Sequence, residues 1–229
     1  LVFADNTYTI DYEDLERKAA DPKVKVMLLC NPHNPAGRVW KREELVHIGK
    51  ICIRHGVTVV SDEIHCELVF PGHRYTPFAS VSEDFLRHSV TCISPSKAFN
   101  IAGLQIANIV CADADHRAKI DRAINDNEVC DVNPFGVIAT QAAYNEGEEW
   151  LNQLIEYLHG NYFYMREFCR EHLRGHTSSG WIVANFVYPR RNLNGDWSLK
   201  PDYGSMPERC TAQRVKGSCA GILPARVIR

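Results

Sequence analysis

The chain has 229 residues, with 26 basic and 28 acidic side chains and a formal net charge of −2. Hydrophobic residues make up 45% and charged residues 24%, the mix of an ordinary globular protein and not of a disordered or fibrous one. A near-neutral chain has no electrostatic footprint for nucleic acid, no run of about 18 apolar residues reads as a membrane span, and no basic-then-apolar leader opens the sequence.

The nine cysteines are scattered, odd in number and without a C-x-x-C pair. That pattern argues against a disulfide framework and for reduced thiols in a cytoplasmic protein. The opening stretch from Leu1 reads as the middle of a protein, so a segment of a longer chain is expected.

Asp11 to Ala20 predicts a short helix, with Leu15 and Ala19 four apart. Val24 to Cys30 is apolar, rich in β-branched residues and of strand length. It stops at Asn31-Pro32-His33-Asn34-Pro35-Ala36-Gly37, whose Pro, Asn and Gly content predicts a loop. Lys41 to His55 is helical, with Leu45, Ile48, Ile51 and Cys52 on one face and Gly56 as its stop. Val57 to Val60 is a second strand, ending at Ser61-Asp62-Glu63. Ser89 to Ser94 is a third, ending at Pro95-Ser96-Lys97, and Gln105 to Cys111 is a fourth. Asp113 to Asp126, Pro134 to Gly147 and Trp150 to Leu173 predict three more helices.

Apolar strands separated by helices predict an α/β fold built on a mostly parallel sheet flanked by helices on both faces. Ligands of such sheets bind beyond the carboxyl ends of the strands. That rule selects Asn34, Asp62, His65, Ser94, Ser96 and Lys97.

Their chemistry is complementary. Lys97 follows small hydroxyl residues at a strand end and can attack a carbonyl once its amine is partly deprotonated. Asp62, read as the end of a buried strand, needs a positive partner such as a protonated pyridine nitrogen. Ser94, Ser96 and nearby backbone amides can hold a phosphate, and Asn34 can donate to a phenolic oxygen. Together these are the parts that pyridoxal phosphate requires. Taken singly, each has an ordinary role as an exposed lysine, a cap, a turn former or a loop residue. The case rests on their order and spacing.

The stretches Asn31 to Gly37, Ser61 to His65, and Ser94 to Gln105 resemble the fold-type I pyridoxal-phosphate enzymes, aminotransferase class I/II. Within them the resemblance is to the MalY/PatB group of cystathionine β-lyase-like C–S lyases, over roughly residues 1 to 175. It implies that Lys97 is the lysine that binds the cofactor aldehyde and shuttles protons, and that Asp62 is the partner of the ring nitrogen. It also implies that Asn34 donates to the ring oxygen, that His65 stands where aminotransferases often carry tyrosine, and that Ser94 and Ser96 are phosphate ligands. Gln105 stands where many aminotransferases have a phosphate-binding arginine. Gln105 and His65 favour the lyase branch.

The resemblance further implies β-elimination of a sulfur amino acid to a thiol, pyruvate and ammonia, in a cytoplasmic homodimer. A class I/II aminotransferase and an inactive truncated paralogue remain alternatives. Residues 1–175 read as the cofactor-binding large domain, incomplete at its amino end. Residues 176–229 read as an atypical, poorly ordered remnant of a small C-terminal domain, in which Arg226 lacks the context of a carboxylate clamp. Two rival patterns fail. Ser94-x-x-Lys97 lacks the later motifs of the penicillin-recognising enzymes, and Asp62 with His65 lacks a third ligand, so no metal site is expected.

Overall fold

A computed structural model describes residues 1–4 and 7–172 of the chain. The expected C-terminal segment from residue 176 lies outside the described residues.

The chain opens with a hairpin of β1 (Val2–Ala4) and β2 (Thr7–Thr9), paired antiparallel with Phe3 opposite Tyr8. Three-residue strands carry too little pattern for periodicity to predict them, and this hairpin was not among the expected elements. Helix α1 (Tyr12–Ala19) begins where the Asp11 carboxylate accepts the Asp14 amide at 2.9 Å. Its first turn is acidic and its last turn basic, as the helix dipole favours. Strand β3 (Val26–Cys30) and helix α2 (Arg42–Arg54) come next.

Beyond them lie β4 (Thr58–Asp62), a 3-10 turn at Phe78–Ser80 and the short helix α3 (Glu83–Arg87). Then come β5 (Ser89–Ile93), a second 3-10 turn at Ala102–Leu104, and β6 (Asn108–Cys111). Helices α4 (Ala114–Asp126), α5 (Pro134–Glu146) and α6 (Glu148–His172) complete the described chain. None of the described helices is long and apolar enough to cross a membrane.

The sheet has the order β3-β4-β5-β6. β3, β4 and β5 run parallel, whereas β6 runs antiparallel to β5, with Asn108 opposite Ile93. The fourth strand is the exception to the parallel expectation. Its connection from β5 holds only turns and one 3-10 turn, and without a crossover helix the chain returns from the end at which it left. Coverage also differs from the expectation. Val26 and Leu28 on β3 are 53% and 67% exposed, and Ile109 and Val110 on β6 are 47% and 50% exposed. These are the two outer strands.

The core fills the space between α1, α2 and one face of the sheet. Trp40, Leu45, Ile48, Ile51, Cys52, Val57, Val59, Phe78 and Phe85 are all buried there. The four α2 residues read as one face are all buried, together with Gly49. Trp40 is fully buried and its indole N–H donates to the Cys30 carbonyl at 2.9 Å. Gly49 lets α2 approach Phe85 closely: a Cβ there would lie 2.2 Å from the ring. The six described cysteines whose side chains are placed are free thiols.

Candidate active site

The register levels three strand ends. Cys30 is opposite Asp62, and Asp62 is opposite Cys92. The ladder runs on past them, with the Asn31 amide donating to the Asp62 carbonyl at 2.9 Å and the Glu63 amide to the Cys92 carbonyl at 2.8 Å. The segments that leave β3, β4 and β5 therefore emerge together at one end of the sheet, and they carry all six residues selected from the sequence.

After β3 the chain folds back on itself. The His33 amide donates to the Arg38 carbonyl at 2.7 Å, and the Gly37 amide donates to the His33 carbonyl at 2.9 Å. Gly37 has φ +64°, a conformation that favours glycine. Asn34 sits half-buried within this turn. Arg38 anchors its far end. The guanidinium bonds both Glu44 oxygens at 2.7 Å and also donates to the Tyr8 carbonyl, and its side chain is only 7% exposed.

After β4, Asp62 is exposed and its Oδ1 accepts the Ile64 amide at 3.2 Å. This corrects one premise drawn from the sequence, that Asp62 is the costly buried carboxylate. Successive strand side chains point to opposite faces, and the buried member is Glu63, 1% exposed. Glu63 accepts from the Ser61 hydroxyl at 2.7 Å, the Phe78 amide at 2.9 Å, the Tyr75 hydroxyl and the Asn31 side-chain amide. Burial, reinforced by Glu63, holds the Tyr75 phenol well above its usual range.

His65 is buried at 6% exposure, and its Nδ1 has no hydrogen-bond partner. Burial holds its pKa below the ordinary histidine value. The Asp62 carboxylate pulls it back up and the Lys97 ammonium pushes it further down. Asp62, His65 and Lys97 all lie at the end of the sheet where the segments after β4 and β5 emerge.

After β5, Ser94 and Ser96 are buried and Lys97 is exposed. Ser94 donates its hydroxyl to the Ile106 carbonyl at 2.6 Å and accepts the Ser96 amide at 3.1 Å. The two hydroxyl oxygens are 2.8 Å apart. The Lys97 turn is closed by the Phe99 amide bonded to Pro95 and the Ile101 amide bonded to Ser96. Phe99 stacks on Trp150 at 5.6 Å and meets Tyr144 edge-on at 6.3 Å, which ties the turn to α5 and α6.

Asn31, Glu63 and Tyr75 were not selected from the sequence. Alternation of strand side chains says only that Asp62 and Glu63 face opposite ways, and packing decides which of them faces inward. A cavity of about 820 Å³ lies elsewhere, lined by Thr7, Arg38, Lys41, Arg42, Arg74 and Tyr75 among others. None of the six selected residues lines it.

The chain is similar to known proteins. The sequence matches the family described as aminotransferase class I and II over residues 2–185. Cystathionine beta-lyase PatB of Bacillus subtilis (strain 168) is 52% identical over 161 residues, which are 70% of this chain and 42% of PatB. Protein MalY of Escherichia coli (strain K12) is 34% identical over 158 residues, 69% of this chain and 40% of MalY. The PLP-bound C-S lyase from Staphylococcus hominis aligns with a TM-score of 0.73 at 36% identity, over 80% of this chain and 46% of that one. The chain thus spans less than half the length of each of these relatives. With the family matched along most of its sequence and the fold shared with a solved relative, the chain belongs to the aminotransferase class I and II family.

Proposed function

We propose that the whole protein to which these residues belong is a pyridoxal-phosphate enzyme. Its reaction is β-elimination of sulfur amino acids, with a thiol, pyruvate and ammonia as products. The observation that carries this reading is the levelled ends of β3, β4 and β5, from which the segments carrying Asn34, Asp62, His65, Ser94, Ser96 and Lys97 emerge together. The relatives PatB and the S. hominis C-S lyase support the lyase branch over transamination. A cytoplasmic homodimer is the setting that the resemblance implies.

The donor set suits pyridoxal phosphate. Asp62 Oδ2 and Lys97 Nζ have no hydrogen-bond or ion-pair partner among the described residues, and the buried Nδ1 of His65 is unpartnered. The exposed Asp62 and Lys97 are free to take up a ligand, and a buried polar atom such as His65 Nδ1 is costly to leave unpaired. When bound, the cofactor supplies an electron sink for charge developing on the substrate's α-carbon.

Asp62 would favour a protonated ring nitrogen through its negative charge. Asn34 would donate its side-chain amide to the ring oxygen. Ser96 would donate to the phosphate, with Ser94 fixing its orientation through the contact between the two hydroxyls. Lys97 Nζ would hold the cofactor by its aldehyde and, as a free amine, would take the substrate's α-proton as a general base. The sulfur would leave the β-carbon as thiolate and take a proton from the Lys97 ammonium to become the thiol, and water would convert the remaining three-carbon unit to pyruvate and ammonia.

The test has two stages. The chain is incubated with pyridoxal phosphate and treated with borohydride, and the Lys97 peptide is checked by mass spectrometry for a stable adduct. That adduct is expected in the wild type and absent in Lys97→Ala. The full-length protein is then given a β-thio amino acid, and pyruvate release is expected without an added keto acid. A requirement for a keto acid would move the assignment to transamination.

A further inference from the structure

We propose that Glu63 is a positioning residue for the cofactor site, one whose buried carboxylate ties the turn that carries Asn34 to the strand end that carries Asp62. The proposal rests on the pyridoxal-phosphate reading of that site.

Glu63 is 1% exposed, yet no described cation pairs with it. A carboxylate removed from water without a counter-ion is costly unless its lone pairs are filled by donors. Here they are filled by four. Ser61 comes from the same strand, Asn31 from the turn after β3, and Tyr75 and the Phe78 amide from the segment that leads to α3.

Asn31 is the link. It is fully buried, its backbone amide bonds Asp62, and its side-chain amide is shared between Glu63 at 3.4 Å and the Thr76 carbonyl at 2.9 Å. Three segments that are far apart in sequence therefore meet on one side chain. Two of them continue directly into Asn34 and His65. The partners of Glu63 are all groups of the protein itself. Glu63 acts by holding the backbone from which those side chains project, and small misplacements of such groups are costly.

The test uses the full chain and two readouts. The first needs no cofactor: hydrogen exchange at the Asn31, His33, Gly37 and Arg38 amides. Glu63→Ala is expected to speed exchange there and at Phe78, while α2 amides keep their protection. The second is pyridoxal-phosphate affinity by fluorescence titration, where Glu63→Ala is expected to raise the dissociation constant by about 10-fold or more, as removal of an orienting partner does elsewhere.

Glu63→Gln keeps the shape and the acceptor for Ser61 and Phe78, and Tyr75 can turn to accept. It is expected to restore both readouts to within about 3-fold of wild type. Should Glu63→Ala fail to fold, Asn31→Ala cuts the same link while leaving Glu63 three donors, and the same local loss is expected. Unchanged exchange in the turn, or a loss spread equally through α2, would overturn the proposal even if wild type binds cofactor at Lys97. A wild type that forms no Lys97 adduct would instead defeat the cofactor reading, and the exchange readout would still decide whether Glu63 organises the turn.

Discussion

The backbone amide of Glu63 donates to the Cys92 carbonyl at 2.8 Å, and this bond levels the ends of β4 and β5. Asp62 at the end of β4 and Lys97 just beyond β5 therefore work from the same end of the sheet. Their contributions are separable by substitution. Lys97→Ala is expected to abolish the borohydride-stable adduct without changing the melting temperature, because Lys97 is exposed and unpaired among the described residues. Asp62→Asn is expected to retain the adduct but lower the pKa of the cofactor's ring nitrogen by about 1–3 units, the usual effect of losing an adjacent carboxylate. Absorbance titration of the bound cofactor checks this.

The packing of α2 gives a stability prediction with an inverted sign. In an exposed helix, alanine is favoured over glycine by about 1 kcal/mol. Gly49→Ala is expected to destabilise the protein instead, by about 1–3 kcal/mol, because the new methyl would collide with the buried Phe85 ring. Urea denaturation measures the difference. A gain in stability would mean that Phe85 has room to move.

Arg38 joins the hairpin to α2 through Glu44 and the Tyr8 carbonyl. Arg38→Met removes one partner of a largely buried pair and leaves Glu44 uncompensated. A loss of about 3 kcal/mol is expected. Glu44→Gln in the same background is expected to recover part of it, since the stranded charge is then gone. The double-mutant cycle is read by denaturant midpoint.

The histidines at the strand ends make stability depend on pH. Burial, with the Lys97 ammonium adding to it, holds the folded-state pKa of His65 below its ordinary 6.5. Between the two values the unfolded chain binds the extra proton, so stability rises with pH through this window and falls on acidification. His33 acts in the same direction, also through burial. Glu67 acts oppositely, since burial raises its carboxyl pKa and its contribution weakens as pH rises. Comparing His65→Gln with wild type isolates the histidine. Wild type is expected to lose stability more steeply below pH ~6.5, by at most about 1.4 kcal/mol per pH unit for one proton.

Much of the candidate site was legible in the sequence because the signals are local. The Pro, Asn and Gly run from Asn31 announces a turn whatever surrounds it. The apolar runs ending at Cys30, Asp62 and Ile93 announce strands, and the rule of strand carboxyl ends then selects the residues just beyond them. The helix over Arg42–Arg54 was legible for the same reason, because a single stripe of Leu45, Ile48, Ile51 and Cys52 records which face it buries.

What the chain could not declare by itself concerns partners distant in sequence. Whether Asp62 or its neighbour Glu63 turns inward depends on which face of β4 meets the core, and Tyr75 and Phe78 decide that from another segment. The antiparallel course of β6 depends on a connection without a helix, and the burial of Ser94 depends on the Ile106 carbonyl. Local periodicity and turn chemistry sufficed to mark the elements and the residues at their ends. Only the packed fold decided which of those residues are free to act and which are spent holding the others in place.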